Sequence, residues 1–136
     1  MVAPDGDRVI VTLDRLAAEY AVARLAPGSG WPHWATWSRE FVSVSRTLAE
    51  TSVICEAQYV PATVPAERGF AAYVVRGPLP FSLVGVMAAI TAPLAAAAVP
   101  LLAVSTYDTD VILVRIAHAT SAEQAWDASG IEIGTR

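Results

Sequence analysis

Lysine is absent from this 136-residue chain and cysteine occurs once. The cationic charge rests on nine arginines scattered singly, against a net charge of −4. No basic patch or stripe forms, which argues against nucleic acid as the main partner, because phosphate recognition needs clustered cationic side chains. The one cysteine, Cys55, cannot close an internal disulfide. It follows Ser52-Val53-Ile54 and reads as a small buried hydrophobe in a strand, which suits a reducing compartment. His33 and His118 lie in different segments, and neither sits beside a cysteine or a second histidine. Metal-ligand spacing, a Gly-rich phosphate loop and a G-x-S-x-G pattern are missing, so no catalytic residue, metal or cofactor is expected. The opening residues, "MVAPDGDRVI", carry acids where a signal peptide needs a basic region and an apolar stretch. The expectation is a cytoplasmic protein that is not an enzyme.

Charge is also missing from the 31 residues between Arg76 and Asp108. By length alone that run could span a bilayer. Pro78, Pro80, Pro93 and Pro100 punctuate it, alanine fills its middle, and neither end carries an orienting basic cluster. It reads better as a strand end, a turn, one buried helix and a second buried strand, with no membrane partner. What the chain does have is apolar mass: 54% hydrophobic and 16% charged residues, enough for a core at the size of one ordinary domain.

The first half reads as short strands with breaks. "EYAVARL" (Glu19 to Leu25) alternates as a strand does, and "APGSGWP" breaks it. Trp31, Trp34 and Trp37 recur at a spacing of three, so "WPHWATW" is read as one helical turn with its indoles on one side, in a core or an interface. Phe41 to Ser45 and Ser52 to Glu56 pair as a hairpin turned around Leu48 to Glu50, and "VPATVPAERG" follows as a loop.

In the second half Phe70 to Gly77 is a strand, and Pro78 to Phe81 a turn. Ser82 is placed to cap a helix over Leu83 to Ala98 that contains Pro93. Leu101 to Tyr107 and Asp110 to Ala117 form a hairpin around Asp108 and Thr109. Ser121 with Gln124 suggests a capping box for a second helix that Gly130 ends, and Ile131 to Ile133 is a last strand. The order β-α-β-β-α-β predicts an α+β, ferredoxin-like fold: an antiparallel sheet with both helices on one face.

The polar groups of "VSTYDTDVILV" pose the functional question. Asp108 and Thr109 fit a turn that bonds its own backbone. Asp110 opens a strand of four apolar residues, Val111 to Val114, and a carboxylate drawn into such surroundings needs a donor. In this fold the hairpin and the start of the first helix lie at the same sheet edge. The helix start offers amide groups to a carboxylate, and Asp110 an acceptor to an ammonium, so the pair would serve a zwitterion.

"GPLPFSLVGVMAAITAPLAAAAVPLLAVSTYDTDVILV" resembles the second-half signature of small ACT-domain proteins, in the branch that includes the amino-acid-sensing CASTOR proteins. "EYAVARLAP", "FVSVSRTLAETSVIC" and "VPAERGF" resemble the leading segment of bacterial members, so the resemblance runs from about Leu13 to Ile133. It implies a degenerate ACT-like β-rich half over residues 1–68, an ACT domain over 69–136, and a regulatory role in binding a small molecule, an amino acid above all. Carried over residue by residue, it implies a ligand site of Phe81, Ser82, Gly85, Val86, Thr106, Tyr107 and Asp110. Such sites commonly lie between two ACT units, which together with exposed sheet edges suggests a homodimer. Members often carry Gly near Ala98; here Ala stands there, at a cost of about 1 kcal/mol if the backbone is left-handed. The competing reading is a dimerisation or interaction module without a small ligand, its hairpin pairing edge to edge with another copy.

Overall fold

A computed structural model describes residues 10–80 and 83–135. Strands β1 (Thr12–Leu25), β2 (Ser43–Arg46), β3 (Thr51–Glu56) and β4 (Ala66–Val75) precede helix α1 (Val86–Ala96). Strands β5 (Leu102–Ser105) and β6 (Asp110–Arg115), helix α2 (Ala119–Ala128) and β7 (Glu132–Thr135) follow. The chain divides into two compact units, one of residues 18–70 and one of the residues before Ala18 and after Phe70. Each of β1 and β4 contributes residues to both.

In the unit that holds both helices, the strands run in the order β7-β1-β4-β6-β5. From β4 onward the elements follow the expected β-α-β-β-α-β order, and the fold is α+β with both helices packed on one core. Leu13, Tyr73, Val75, Ile112 and Val114 face that core from the sheet; Val86, Ile90 and Leu94 enter from α1, and Ala119, Ala122 and Trp126 from α2. Trp126 is fully buried, meets the Tyr73 ring edge-on at 4.9 Å, and donates its indole N–H to the Ile90 carbonyl at 2.9 Å. One side chain thus ties both helices to the sheet.

One strand departs from the expected sheet. The start of β1 stands between β7 and β4, and β7 pairs with it in parallel, Thr12 opposite Glu132 and Arg15 opposite Thr135. The sequence reading began this strand at Glu19, whereas β1 begins at Thr12. Its buried carboxylate, Asp14, is satisfied by Arg76, whose Nε and guanidinium nitrogen donate to it at 3.1 and 2.5 Å. A charge inside a strand is tolerated when a two-pronged partner meets it.

The helix starts also differ. The N-cap of α1 is Gly85, at φ 90°, a left-handed backbone that glycine adopts without steric penalty. Ser82, expected as the cap, lies outside the described residues. The N-cap of α2 is His118, which places Ser121 inside the helix rather than in a capping box. Both helices end alike. The Val99 and Ile131 amides reach back to the Leu94 and Trp126 carbonyls, both at 2.9 Å. The Ala98 and Gly130 amides reach those of Ala95 and Asp127 at 3.1 and 3.0 Å. These are paired Schellman closures, with Ala98 at φ 57° in one and Gly130 at φ 81° in the other.

In the unit of residues 18–70 the order is β2-β3-β1-β4. The expected hairpin forms, with Ser43 opposite Ile54 and Arg46 opposite Thr51. "AERG", expected in a loop, instead opens β4. The tryptophan segment makes a short 3-10 helix, His33–Trp37, but its indoles part company. Trp34 is buried against Val53 and Cys55, whereas Trp31 and Trp37 are each 54% exposed. Cys55 is fully buried, as expected of a small hydrophobe, and desolvation pushes its thiol up to about 11. Among the described residues no helix is long and apolar enough to cross a membrane.

Candidate functional site

The hairpin of β5 and β6 is closed by a four-residue turn whose bonds its own sequence supplies. Ser105 lies opposite Asp110, and its hydroxyl donates to the Asp110 carboxylate at 2.5 Å. The Thr106 amide donates to the Thr109 carbonyl at 2.7 Å, while the Thr106 hydroxyl donates to that carbonyl and accepts from the Thr109 amide, both at 3.1 Å. Small hydroxyl residues favour such local closures. The turn is then sewn to the segment after β4. The Leu79 amide donates to the Asp108 carbonyl at 2.8 Å, and the Thr109 hydroxyl donates to the Val75 carbonyl. These bonds hold the hairpin tip over the start of α1.

Between them lies an open cavity of about 260 Å³. Gly85, Val86 and Met87 line it from the helix start, Leu79, Pro80 and Leu83 from the connecting segment, and residues 105–110 from the hairpin. The volume falls just below the roughly 300–1,000 Å³ of drug-sized sites and suits one small metabolite. Gly85, Val86, Thr106, Tyr107 and Asp110, all named from the sequence, share this cavity; Phe81 and Ser82 lie outside the described residues. Sequence reasoning missed Ser105, Leu79, Pro80, Leu83 and Met87. Ser105 could have been found from strand register, since the residue opposite Asp110 across a four-residue turn is fixed by counting.

Two features give the cavity its chemistry. Asp110 is half-buried, with one carboxylate oxygen held by Ser105. The first bond within α1 runs from the Ala89 amide to the Gly85 carbonyl at 2.9 Å, so the amides of Val86, Met87 and Ala88 precede the helix ladder. Such amides form the positive end of a helix. The Asp110 acceptor and the first helical residues, Val86 and Met87, therefore border one small space.

A larger cavity, about 400 Å³, lies in the unit of residues 18–70 and is lined by Ala18, Glu19, Ala57, Gln58 and Arg68. The Arg68 guanidinium there donates to the Ala57 and Val60 carbonyls, both at 3.0 Å, which makes it part of the turn's framework. Among the described residues no three His, Cys, Asp or Glu side chains gather as metal ligands would.

Comparison with known proteins places the cavity in a recognised fold. The sequence model of the ACT domain matches residues 66–125, and a second model, of an N-terminal domain, matches residues 18–63. A crystal structure of a protein from Agobacterium tumefaciens is 27% identical, with a TM-score of 0.87 over 95% of this chain and 96% of that one. A protein of unknown function from Vibrio cholerae, described as a possible transport protein, is 20% identical, with a TM-score of 0.70 over 88% of this chain and 90% of that one. The regulatory subunit of aspartate kinase from Thermus thermophilus, in its ligand-free form, is 12% identical. It superposes with a TM-score of 0.60 over 90% of this chain and 99% of that one, a likeness of fold. No curated protein matches the chain.

Proposed function

We propose that this protein is a regulatory small-molecule binder that senses an amino acid in the cavity between the α1 start and the β5–β6 hairpin. The observation that carries the reading is the placement of Asp110 and the start of α1 around one small cavity. An α-amino acid carries its ammonium and its carboxylate on one shared carbon, so it can meet both groups at once. The ACT-domain match over residues 66–125 and the fold shared with an aspartate kinase regulatory subunit support a regulatory rather than a catalytic role. We read the unit of residues 18–70 as the degenerate ACT-like half, the chain as a member of the CASTOR-related branch, and the compartment as cytoplasmic.

A homodimer belongs to the same proposal. Val84 and Tyr107, beside the cavity, are 78% and 81% exposed, and apolar surface at a ligand site suits a second copy. A thermal-shift screen against the twenty amino acids at millimolar concentration tests the binder. A ligand at 100 times its dissociation constant adds about 2.7 kcal/mol, a midpoint rise of several degrees, and Asp110→Ala should abolish it. The rival reading, an assembly module without a ligand, rests on β5, an outer strand with Leu102 exposed. It requires concentration-dependent association with no amino-acid response, which sedimentation velocity measures independently.

A further inference from the structure

We infer that the cavity is specific for amino acids with an uncharged, apolar side chain and rejects acidic ones; this rests on the amino-acid reading of the same site. The two sides of the cavity differ in kind. Leu79, Leu83 and Met87 pack against the core of the helical unit, Val86 belongs to that core, and all four line the cavity. On the hairpin side stand Asp108 and Asp110, and among the described lining residues none is cationic.

The hairpin hydroxyls of Ser105, Thr106 and Thr109 are already committed. Ser105 donates to Asp110, Thr106 donates to and accepts from Thr109, and Thr109 donates to the Val75 carbonyl. What the hairpin still offers a ligand is dominated by carboxylate. A ligand's ammonium is welcome there, and its α-carboxylate has the amides of the helix start. A second carboxylate would meet Asp108 and Asp110 with no cation to offset them, and like charges brought together in a partly enclosed site repel strongly. A basic side chain would place its charge at Asp108 and lay only its methylene stem on Leu83 and Met87, covering less of that surface than a wholly apolar one. An aliphatic or thioether side chain covers that surface and places no charge.

The test titrates the full chain with leucine, methionine, lysine and glutamate, reading thermal midpoints and calorimetric dissociation constants. Leucine or methionine should bind tightest, lysine more weakly, and glutamate on the order of tenfold or more weaker than leucine. Asp108→Arg should narrow the glutamate gap. Among the described residues no hairpin hydrogen bond uses its side chain, and the backbone carbonyl that accepts from Leu79 remains. Glutamate binding as tightly as leucine, or an Asp108→Arg variant that leaves the glutamate gap unchanged, would overturn the rejection of acidic ligands while leaving an amino-acid binder. Lysine binding tighter than leucine would overturn the apolar preference in the same way. Silence from all four, and from the remaining amino acids, would overturn the amino-acid reading itself and this inference with it.

Discussion

The two helix ends set up a controlled experiment within one molecule. Ala98 and Gly130 occupy the same position of the same closing motif, both left-handed, at φ 57° and 81°. A residue with a Cβ pays about 1–2 kcal/mol to sit in that region. Glycine instead loses about 0.4–1 kcal/mol more chain entropy on folding. The difference makes Ala98→Gly more stable by about 0.5–1 kcal/mol and Gly130→Ala less stable by a similar amount. Packing does not confuse the comparison. Ala98 is exposed, and a Cβ built on Gly130 meets no heavy atom within 4 Å. At this chain length 1 kcal/mol moves the midpoint by roughly 4 °C, so differential scanning calorimetry should find Ala98→Gly raised by about 2–4 °C. Gly130→Ala should fall by as much, and the double variant should return close to the starting value, because the sites are at different helix ends. A lowered midpoint for Ala98→Gly, or both variants moving the same way, would refute the backbone argument.

Other predictions follow from buried polar groups. A Cβ at Gly134 would stand 2.6 Å from a carboxylate oxygen of Asp14 and 2.7 Å from a guanidinium nitrogen of Arg76, so Gly134→Ala should lose about 1–3 kcal/mol in urea denaturation. The Tyr73 hydroxyl donates to Glu123 at 2.5 Å, a carboxylate that also holds Arg15 at 2.8 Å. Tyr73→Phe should lose about 1.5–3 kcal/mol, the usual worth of a hydrogen bond to a charged group. Burial raises the Cys55 thiol to about 11, so the folded protein should react with a disulfide reagent at neutral pH only as fast as it unfolds. Because the folded value lies above the unfolded one, the thiol's contribution to stability is complete below the ordinary thiol range and is lost as pH rises through about 11. Cys55→Ala should remove that step from an alkaline stability profile measured by circular dichroism.

The second half of the fold was legible because its signals are local. Hydrophobic spacing, Gly130 after the last helical residue and the Asp-Thr turn each act between neighbours, and those elements form. The candidate site shared in this legibility: Asp110 and Thr106 sit one turn apart, so any hairpin brings them together. Where the structure departs, the deciding contact is distant. "TLDRLAA" becomes the inner strand beside β7 because Thr12 finds Glu132, and Asp14 is buried because Arg76 arrives from β4 to meet it. Nothing in the spacing of residues 12–18 announces either partner.

The helix cap shows the same division. Ser82 carried the better local signal, yet the helix begins after Gly85, whose left-handed backbone turns the chain into the core through Val86. By itself, then, the sequence determined which segments become helix, strand and turn in the second half, and that Asp110 would stand at a hairpin mouth, because periodicity and turn chemistry act over a few residues. Only the tertiary structure decided which strand fills the place beside β7, which tryptophan is buried, and that Leu79, Leu83, Val86 and Met87 would face that mouth across one cavity. Those outcomes depend on pairings and packing between residues far apart in the chain, where no local pattern can report them.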